Sequence, residues 1–284
     1  MRRAEHIALL CIGVENDPQP HDLSRQPSHQ TCMGGVARFH PSESSLVRDS
    51  LRSVLEYNRY ERDRWVERQA AALPEGTRIL DVGAGPGPYR GVLAHCEYKA
   101  HDFGQEPDTL GRYTKLDFES DILHIPAVSG SFDAILCTEV LEHVPDPIGA
   151  VREMARLLRP GGRLLLTAPL GSLLHQEPYH FYGGFTPHWY FKFLAEAGFE
   201  DVRIERNAGF FRWFGQESLR FIQHLDPRRT ARMAPGARIA ATLLWIAAAP
   251  FCYGVFPFAG SWLDRQQLET TGTAGYHVTA RRAT

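Results

Sequence analysis

The sequence predicts an α/β fold, a mostly parallel sheet covered by helices on both faces. Short apolar runs of strand length alternate with helix-patterned segments across residues 75–210, the arrangement that parallel βαβ units require. The first run closes on a glycine-rich turn, Asp81 to Gly87 (DVGAGPG), where glycines let the backbone bend sharply and approach a ligand. An acid, Asp102, ends the second run, twenty-one residues after Asp81, where a carboxylate can accept both hydroxyls of a ribose. Composition agrees: 43% hydrophobic and 23% charged residues exclude a disordered chain, a collagen-like repeat and a polytopic membrane protein.

The elements follow in order. Residues 1–43 read as a loosely ordered tail rich in Pro, His, Ser and Gln. Its apolar run Ile7–Val14 lacks a small-residue cleavage site, so a signal peptide is not expected, and Met33 is a second candidate start. Residues 44–74 are helical, with Leu46, Val47, Leu51, Val54 and Leu55 at helical spacing and Trp65, Val66 and Ala70 extending the pattern, until Pro74-Glu75-Gly76 stops it. A strand over 78–83 is followed by a helix near 88–95 and by strands near 97–102, 114–120 and 132–137. A helix over 147–158 leads through Pro160-Gly161-Gly162 into a strand over 163–168. Residues 171–187 form a loop carrying functional side chains, followed by a helix to Ala197 and a strand over 199–206. An apolar insertion occupies 211–270, and residues 271–284 return as the final strand.

The glycine turn is not a dinucleotide fingerprint, because Pro88 stands where the third glycine belongs. The segment instead resembles the class I S-adenosylmethionine-dependent methyltransferases. The likeness spans residues 75–206 and rests on ILDVGAGPG (79–87), DILHIP (121–126), SFDAIL (131–136), LEHV (141–144) and LRPGGR (158–163), in the family's order. It implies a Rossmann-like, seven-stranded sheet whose last strand is antiparallel, with S-adenosylmethionine at the carboxyl ends of the strands. It implies further that Asp81, Gly83, Gly85 and Gly87 build the turn at the methionine part, that Asp102 meets the ribose, and that Asp121 with Ile122 meets the adenine. Pro86 and Pro88 depart from the family's turn and stiffen it.

Methyl transfer to a hydroxyl needs positioning and removal of a proton, by a general base or a metal. Just after the fourth strand, Glu139, Glu142 and His143 share one face if a helical turn forms there. Two carboxylates and an imidazole suit a divalent cation, and magnesium, manganese and zinc all fit such donors. The pattern resembles ubiquinone-pathway O-methyltransferases and small-RNA 3′-terminal 2′-O-methyltransferases. In the RNA group a further histidine completes the site; here His180 is the preferred fourth ligand and His175 the alternative. The competing account is a metal-free pocket with His143 or His180 as base beside Glu142.

Thirty-one basic against thirty-three acidic residues leave a charge of −2, which weighs against a nucleic-acid acceptor. Five scattered cysteines without a CxxC fit a reducing cytoplasm. Residues 239–263 carry no charged side chain, long enough for a membrane span, but Pro250, Gly254, Pro257 and Gly260 are expected to break the second half. The insertion therefore reads as a helical cap, a homodimer interface or a peripheral membrane-surface element. The leading expectation is an O-methyltransferase for a small, amphipathic or lipid-linked hydroxylated acceptor, as in surface-glycan or natural-product pathways. An RNA-end 2′-O-methyltransferase, a metal-free N- or C-methyltransferase and a non-catalytic cofactor-binding scaffold are the rivals.

Overall fold

The computed structural model describes residues 43–105, 113–269 and 271–284. Seven strands make one sheet: β1 (Arg78–Val82), β2 (Glu97–Asp102), β3 (Phe118–Glu119), β4 (Phe132–Thr138), β5 (Leu158–Pro169), β6 (Phe199–Arg206) and β7 (Gly275–Arg282). Their order is β3-β2-β1-β4-β5-β7-β6. The first five pair in parallel, and β7 runs antiparallel between β5 and β6. This is the sheet with a reversed last strand that the resemblance implied. The tail expected over 1–43 lies outside the described residues except for Glu43.

Side-chain alternation sorts the strands' apolar residues onto two faces. On one face Leu80, Val82, Ile135, Cys137, Leu164 and Leu166 pack under two helices, α3 (Pro147–Leu157) and α4 (Pro187–Glu196). On the other, Ile79, Ala134, Leu136 and Leu165 meet Trp65, Val66 and Ala70. Both covering helices are capped as their sequences dictate. Asp146 accepts from the Gly149 N–H at 2.9 Å ahead of Pro147, and Thr186 Oγ1 accepts from Trp189 N–H at 3.3 Å ahead of Pro187.

Three expected elements are corrected. The helical segment over 44–74 divides at Glu56, whose dihedrals (φ −120°, ψ 31°) leave the helical region, into α1 (Glu43–Leu55) and α2 (Tyr57–Ala71). The helix near 88–95 is a chain of turns, with bonds of mixed span from Arg90 N–H to Gly87, Leu93 N–H to Tyr89 and Ala94 N–H to Gly91. Tyr89 and Leu93 still bury their side chains against the sheet. The strand near 114–120 pairs over only two residues, His101 with Phe118 and Asp102 with Glu119.

The insertion is a helical hairpin: α5 (Phe210–His224) runs out, and α6 (Pro235–Pro250) and α7 (Phe256–Asp264) run back. Here the expectation of breaks at Pro250 and Pro257 fails. A π-helical turn over Phe251–Val255 joins α6 to α7, so one helical run extends from Pro235 to Asp264. A widened turn absorbs the ladder bonds that proline cannot donate. The Ser218 hydroxyl of α5, which donates to the Gly215 carbonyl at 2.6 Å, lies 3.4 Å from the Cys252 carbonyl. At the base of the hairpin the Asp264 carboxylate accepts from Gly209 N–H at 2.8 Å, Phe211 N–H at 3.0 Å and Arg212 N–H at 3.3 Å. It thereby satisfies the donors that open α5 and ties the returning helix to the outgoing one. Gly260 makes this closeness possible, since a Cβ there would sit 2.4 Å from the Phe211 carbonyl oxygen. Because β6 and β5 are each antiparallel to β7, β6 ends on the same edge as β1, β4 and β5, and the hairpin leaves from that edge.

Candidate functional site

A cleft of about 510 Å³ opens at the carboxyl ends of β1, β2 and β4, lined by the glycine turn, Asp102, Asp121, Ile122, Glu139, His143, Tyr179 and Phe181. Its floor is the turn after β1. Gly83 has φ +72°, a region that L side chains avoid, and a Cβ there would lie 2.3 Å from Val140 Cγ2. Gly85 (φ +50°) donates its N–H to Asp102 Oδ2 at 2.9 Å, and Gly104 donates to Oδ1 at 3.2 Å. One carboxylate thus anchors both the glycine turn and the loop after β2 while lining the cleft. Asp121 accepts from Leu123 N–H at 2.9 Å, which fixes the turn that carries the buried Ile122. Gly87 completes the turn at φ +71°, close against Thr114.

Asp81 also lines this cleft, yet is 1% exposed. Burial pushes its carboxyl up to about 7, against the Tyr98 hydroxyl, which donates at 2.7 Å and lowers it; the nearby Asp102 charge raises it. Tyr98 carried no signal in the sequence, since a tyrosine in a strand reads first as packing.

The segment after β4 differs from the helical turn that the spacing allowed. Glu139 adopts φ +54°, and only Leu141–His143 form a single 3-10 turn. Glu139 therefore faces other partners: the Thr167 hydroxyl donates to its Oε1 at 2.8 Å, and Arg62 of α2 approaches Oε2 at 3.4 Å. Arg62 was not legible as a site residue, being one of several arginines on a polar helix.

Glu142 and His143 stay together and are met by the loop after β5. The Glu142 carbonyl accepts from Phe181 N–H (2.9 Å) and Tyr182 N–H (3.2 Å), clamping that loop over the turn. The result is a three-imidazole cluster, with ring centroids 4.8 Å apart for His143 and His175, 4.7 Å for His175 and His180, and 5.7 Å for His143 and His180. Glu142, His143 and His175 each offer a ligand atom within 4.8 Å of the others. His175, the alternative in the sequence, joins this set, His180 stands beside it, and Glu139 is not one of the three.

Tautomers follow from the partners. His143 Nδ1 lies 2.6 Å from the Tyr179 carbonyl oxygen and His175 Nδ1 2.8 Å from that of Leu173. A carbonyl only accepts, so each Nδ1 carries the proton and each Nε2 presents a lone pair. His143 Nε2, His180 Nε2 and Glu142 Oε2 are buried without a hydrogen-bond partner among the described residues. Burial first, and then the neighbouring histidines, hold His143 down to about 4 despite the Tyr179 bond. His180 is lowered by the same causes. Burial, then the Glu139 charge, raises Glu142 well above the usual carboxylate range.

Residues 54–223, more than half of the chain, match the family model described as a methyltransferase domain. The chain belongs to the methyltransferase-domain family. This methyltransferase is 39% identical over 106 residues to the ubiquinone biosynthesis O-methyltransferase of Xanthomonas campestris pv. campestris, covering 34% of this chain and 44% of that protein. To the enzyme of the same name from Pseudomonas aeruginosa it is 32% identical over 113 residues, 36% of this chain and 48% of that protein. It spans less than half the length of these curated relatives. Similar solved structures include the YcgJ protein of Bacillus subtilis, at 15% identity and a TM-score of 0.44, covering 77% of this chain and 98% of that one. Phosphoethanolamine N-methyltransferase 2 of Haemonchus contortus, in complex with S-adenosyl-L-methionine, is 17% identical with a TM-score of 0.42, covering 76% and 53%. The family and the sheet make this a class I, S-adenosylmethionine-dependent methyltransferase.

Proposed function

We propose that this methyltransferase O-methylates an amphipathic or lipid-linked hydroxylated acceptor, and that a divalent cation assists it. The observation that carries the reading is the pair of histidines whose Nδ1 protons are committed to backbone carbonyls, with their Nε2 lone pairs beside the buried Glu142. Backbone-oriented imidazoles next to a carboxylate are how proteins preset metal ligands. The unpartnered, buried Glu142 Oε2 and His143 Nε2 fit such an ion, because a native fold rarely leaves such groups unsatisfied. Glu142, His143 and His175 would hold it, and magnesium, manganese and zinc all accept this donor set. When bound, the ion lowers the pKa of a coordinated hydroxyl toward neutrality.

The chain's own residues do the rest. Gly83, Gly85 and Asp102 seat the cofactor, with Asp102 reaching the ribose and Asp121 with Ile122 the adenine. When bound there, S-adenosylmethionine would supply the methyl group to the acceptor oxygen, its carbon–sulfur bond breaking to leave S-adenosylhomocysteine. His180, whose lowered pKa keeps it neutral near pH 7, takes the hydroxyl proton at its unpartnered Nε2. Tyr179 and Phe181 line the acceptor side as an aromatic wall, and Phe103 packs edge-on against Tyr179 at 5.7 Å. The partial identity to ubiquinone biosynthesis O-methyltransferases supports oxygen as the methylated atom.

A metal-free reading uses His143 Nε2 itself as the base, since that atom is unpartnered too. Chelation separates the two. Dialysis against EDTA should abolish turnover while cofactor affinity, measured by calorimetry, is retained, and added manganese should restore it. Full turnover in protein shown to be metal-free would decide for the histidine base.

A further inference from the structure

The α5–α7 hairpin is an apolar arm with little to cover it. From Pro235 to Asp264 the helical run is 30 residues, about 45 Å at 1.5 Å per residue. Among the described residues it is the helix that length and composition would allow to cross a membrane, and it is nearly unburied: Ile239, Leu243, Ile246, Phe251, Phe258 and Trp262 are 46% to 63% exposed. Single exposed apolar residues are ordinary, but a stripe at helical spacing along an entire arm marks an interaction surface. Most of it lies beyond residue 223, outside the part of the chain that the family model matches.

Charge selects the occupant. Between Asp226 and Asp264 there is no acidic residue, while Arg228, Arg229, Arg232 and Arg238 gather where the apolar stripe begins. Arg228, Arg229 and Arg238 are exposed. An apolar face headed by arginines is complementary to acyl chains below anionic headgroups. A second copy of this chain would instead bring further arginines to the same face, with no acid on it to neutralise them.

A spanning path does not suit the arm. The hairpin leaves the sheet edge at Gly209 and returns to it at Asp264, tied there by three backbone bonds. Its arginine-bearing tip would have to cross the hydrocarbon, together with Arg212, Glu217 and Arg220 of α5.

We propose that the hairpin docks this protein on the surface of an anionic lipid bilayer, the outer face of α6 and α7 lying in the interface. Because the arm springs from the edge where β1, β4 and β5 end, docking brings the cofactor cleft to the membrane. An acceptor embedded in the bilayer is then presented without leaving it, which deepens the reading of a lipid-linked substrate and rests on it in that respect alone.

Flotation of the full chain with phosphatidylcholine vesicles, with and without phosphatidylglycerol, tests the docking. The protein should float with the anionic vesicles and lose binding as salt rises. Leu243→Glu with Ile246→Glu, and separately Arg228→Glu with Arg229→Glu and Arg238→Glu, should each weaken binding by about tenfold or more. These positions are exposed, so melting temperature and calorimetric cofactor affinity should match the wild type; that keeps a failure of docking distinct from a failure of the methyltransferase reading. Salt-independent indifference to vesicles, or wild-type binding by the Leu243→Glu, Ile246→Glu variant, would overturn the proposal. So would light scattering that shows a dimer which that variant dissociates.

Discussion

Replacing Asp102 with alanine removes one carboxylate from three tasks. It anchors the glycine turn through Gly85 N–H at 2.9 Å and the following loop through Gly104 N–H at 3.2 Å, and it is proposed to accept the ribose hydroxyls. Hydrogen bonds to a charged acceptor contribute about 1.5–3 kcal/mol each in partly buried settings. Asp102 is only half-buried and water can enter the cleft to serve the two N–H groups, so the stability loss belongs at the low end, about 1–2 kcal/mol. In a chain of this size that is roughly a 2–8 °C drop in melting temperature. Cofactor affinity should fall further, because the turn loosens and the ribose loses its acceptor: about 1.5–3 kcal/mol, or roughly ten- to hundredfold in Kd. Asp102→Asn keeps one oxygen for Gly85 and separates the two effects. Its melting temperature should lie between wild type and alanine, while its affinity stays close to that of alanine. Titration calorimetry with S-adenosylhomocysteine and thermal denaturation read both quantities. An alanine variant that melts lower yet binds with unchanged Kd would show that Asp102 serves the fold alone and would refute the ribose assignment.

Gly83→Ala combines a positive φ with a Cβ 2.3 Å from Val140, so it should cost about 2–4 kcal/mol by chemical denaturation and weaken cofactor binding; a shift under 0.5 kcal/mol would mean that the turn yields freely. Asp81 bears on pH. Its folded pKa of about 7 stands above the ordinary 3.8, so the stability it confers is full below 3.8 and is lost as pH rises through 7. Asp81→Asn, which can still accept from Tyr98, should gain on wild type in urea unfolding between pH 4 and pH 7, and a pH-independent difference would contradict the burial argument. At the histidine cluster, Glu142→Gln and His175→Ala should each weaken manganese binding, followed by its electron paramagnetic resonance signal, by about tenfold or more, leaving cofactor affinity within about twofold. Equal manganese affinity in all three proteins would remove these residues from the ligand set.

What could be read from the chain was local. The strand–glycine–helix grammar from Arg78 to Arg206 and the carboxylate ending β2 both depend on periodicity and on residues within one turn of each other. Even so, local rules erred. The segment expected as a helix near 88–95 closes instead through turns of mixed span. Pro250 and Pro257 were read as breaks, but packing of α7 on α5 lets a π-helical turn carry the helix through.

The sequence by itself determined that a parallel sheet would hold a glycine turn and an acid at its carboxyl edge, because each needs only its own backbone and its neighbours. It also brought His143, His175, His180 and Glu142 forward as reactive groups. Only the tertiary structure decided how these meet. A positive φ at Glu139 gives that carboxylate Thr167 and Arg62 as partners, 28 and 77 residues away in sequence, while two hydrogen bonds to the Glu142 carbonyl hold the loop after β5 over His143. Such choices rest on contacts between segments remote in the chain, whose energies no periodicity in the sequence records.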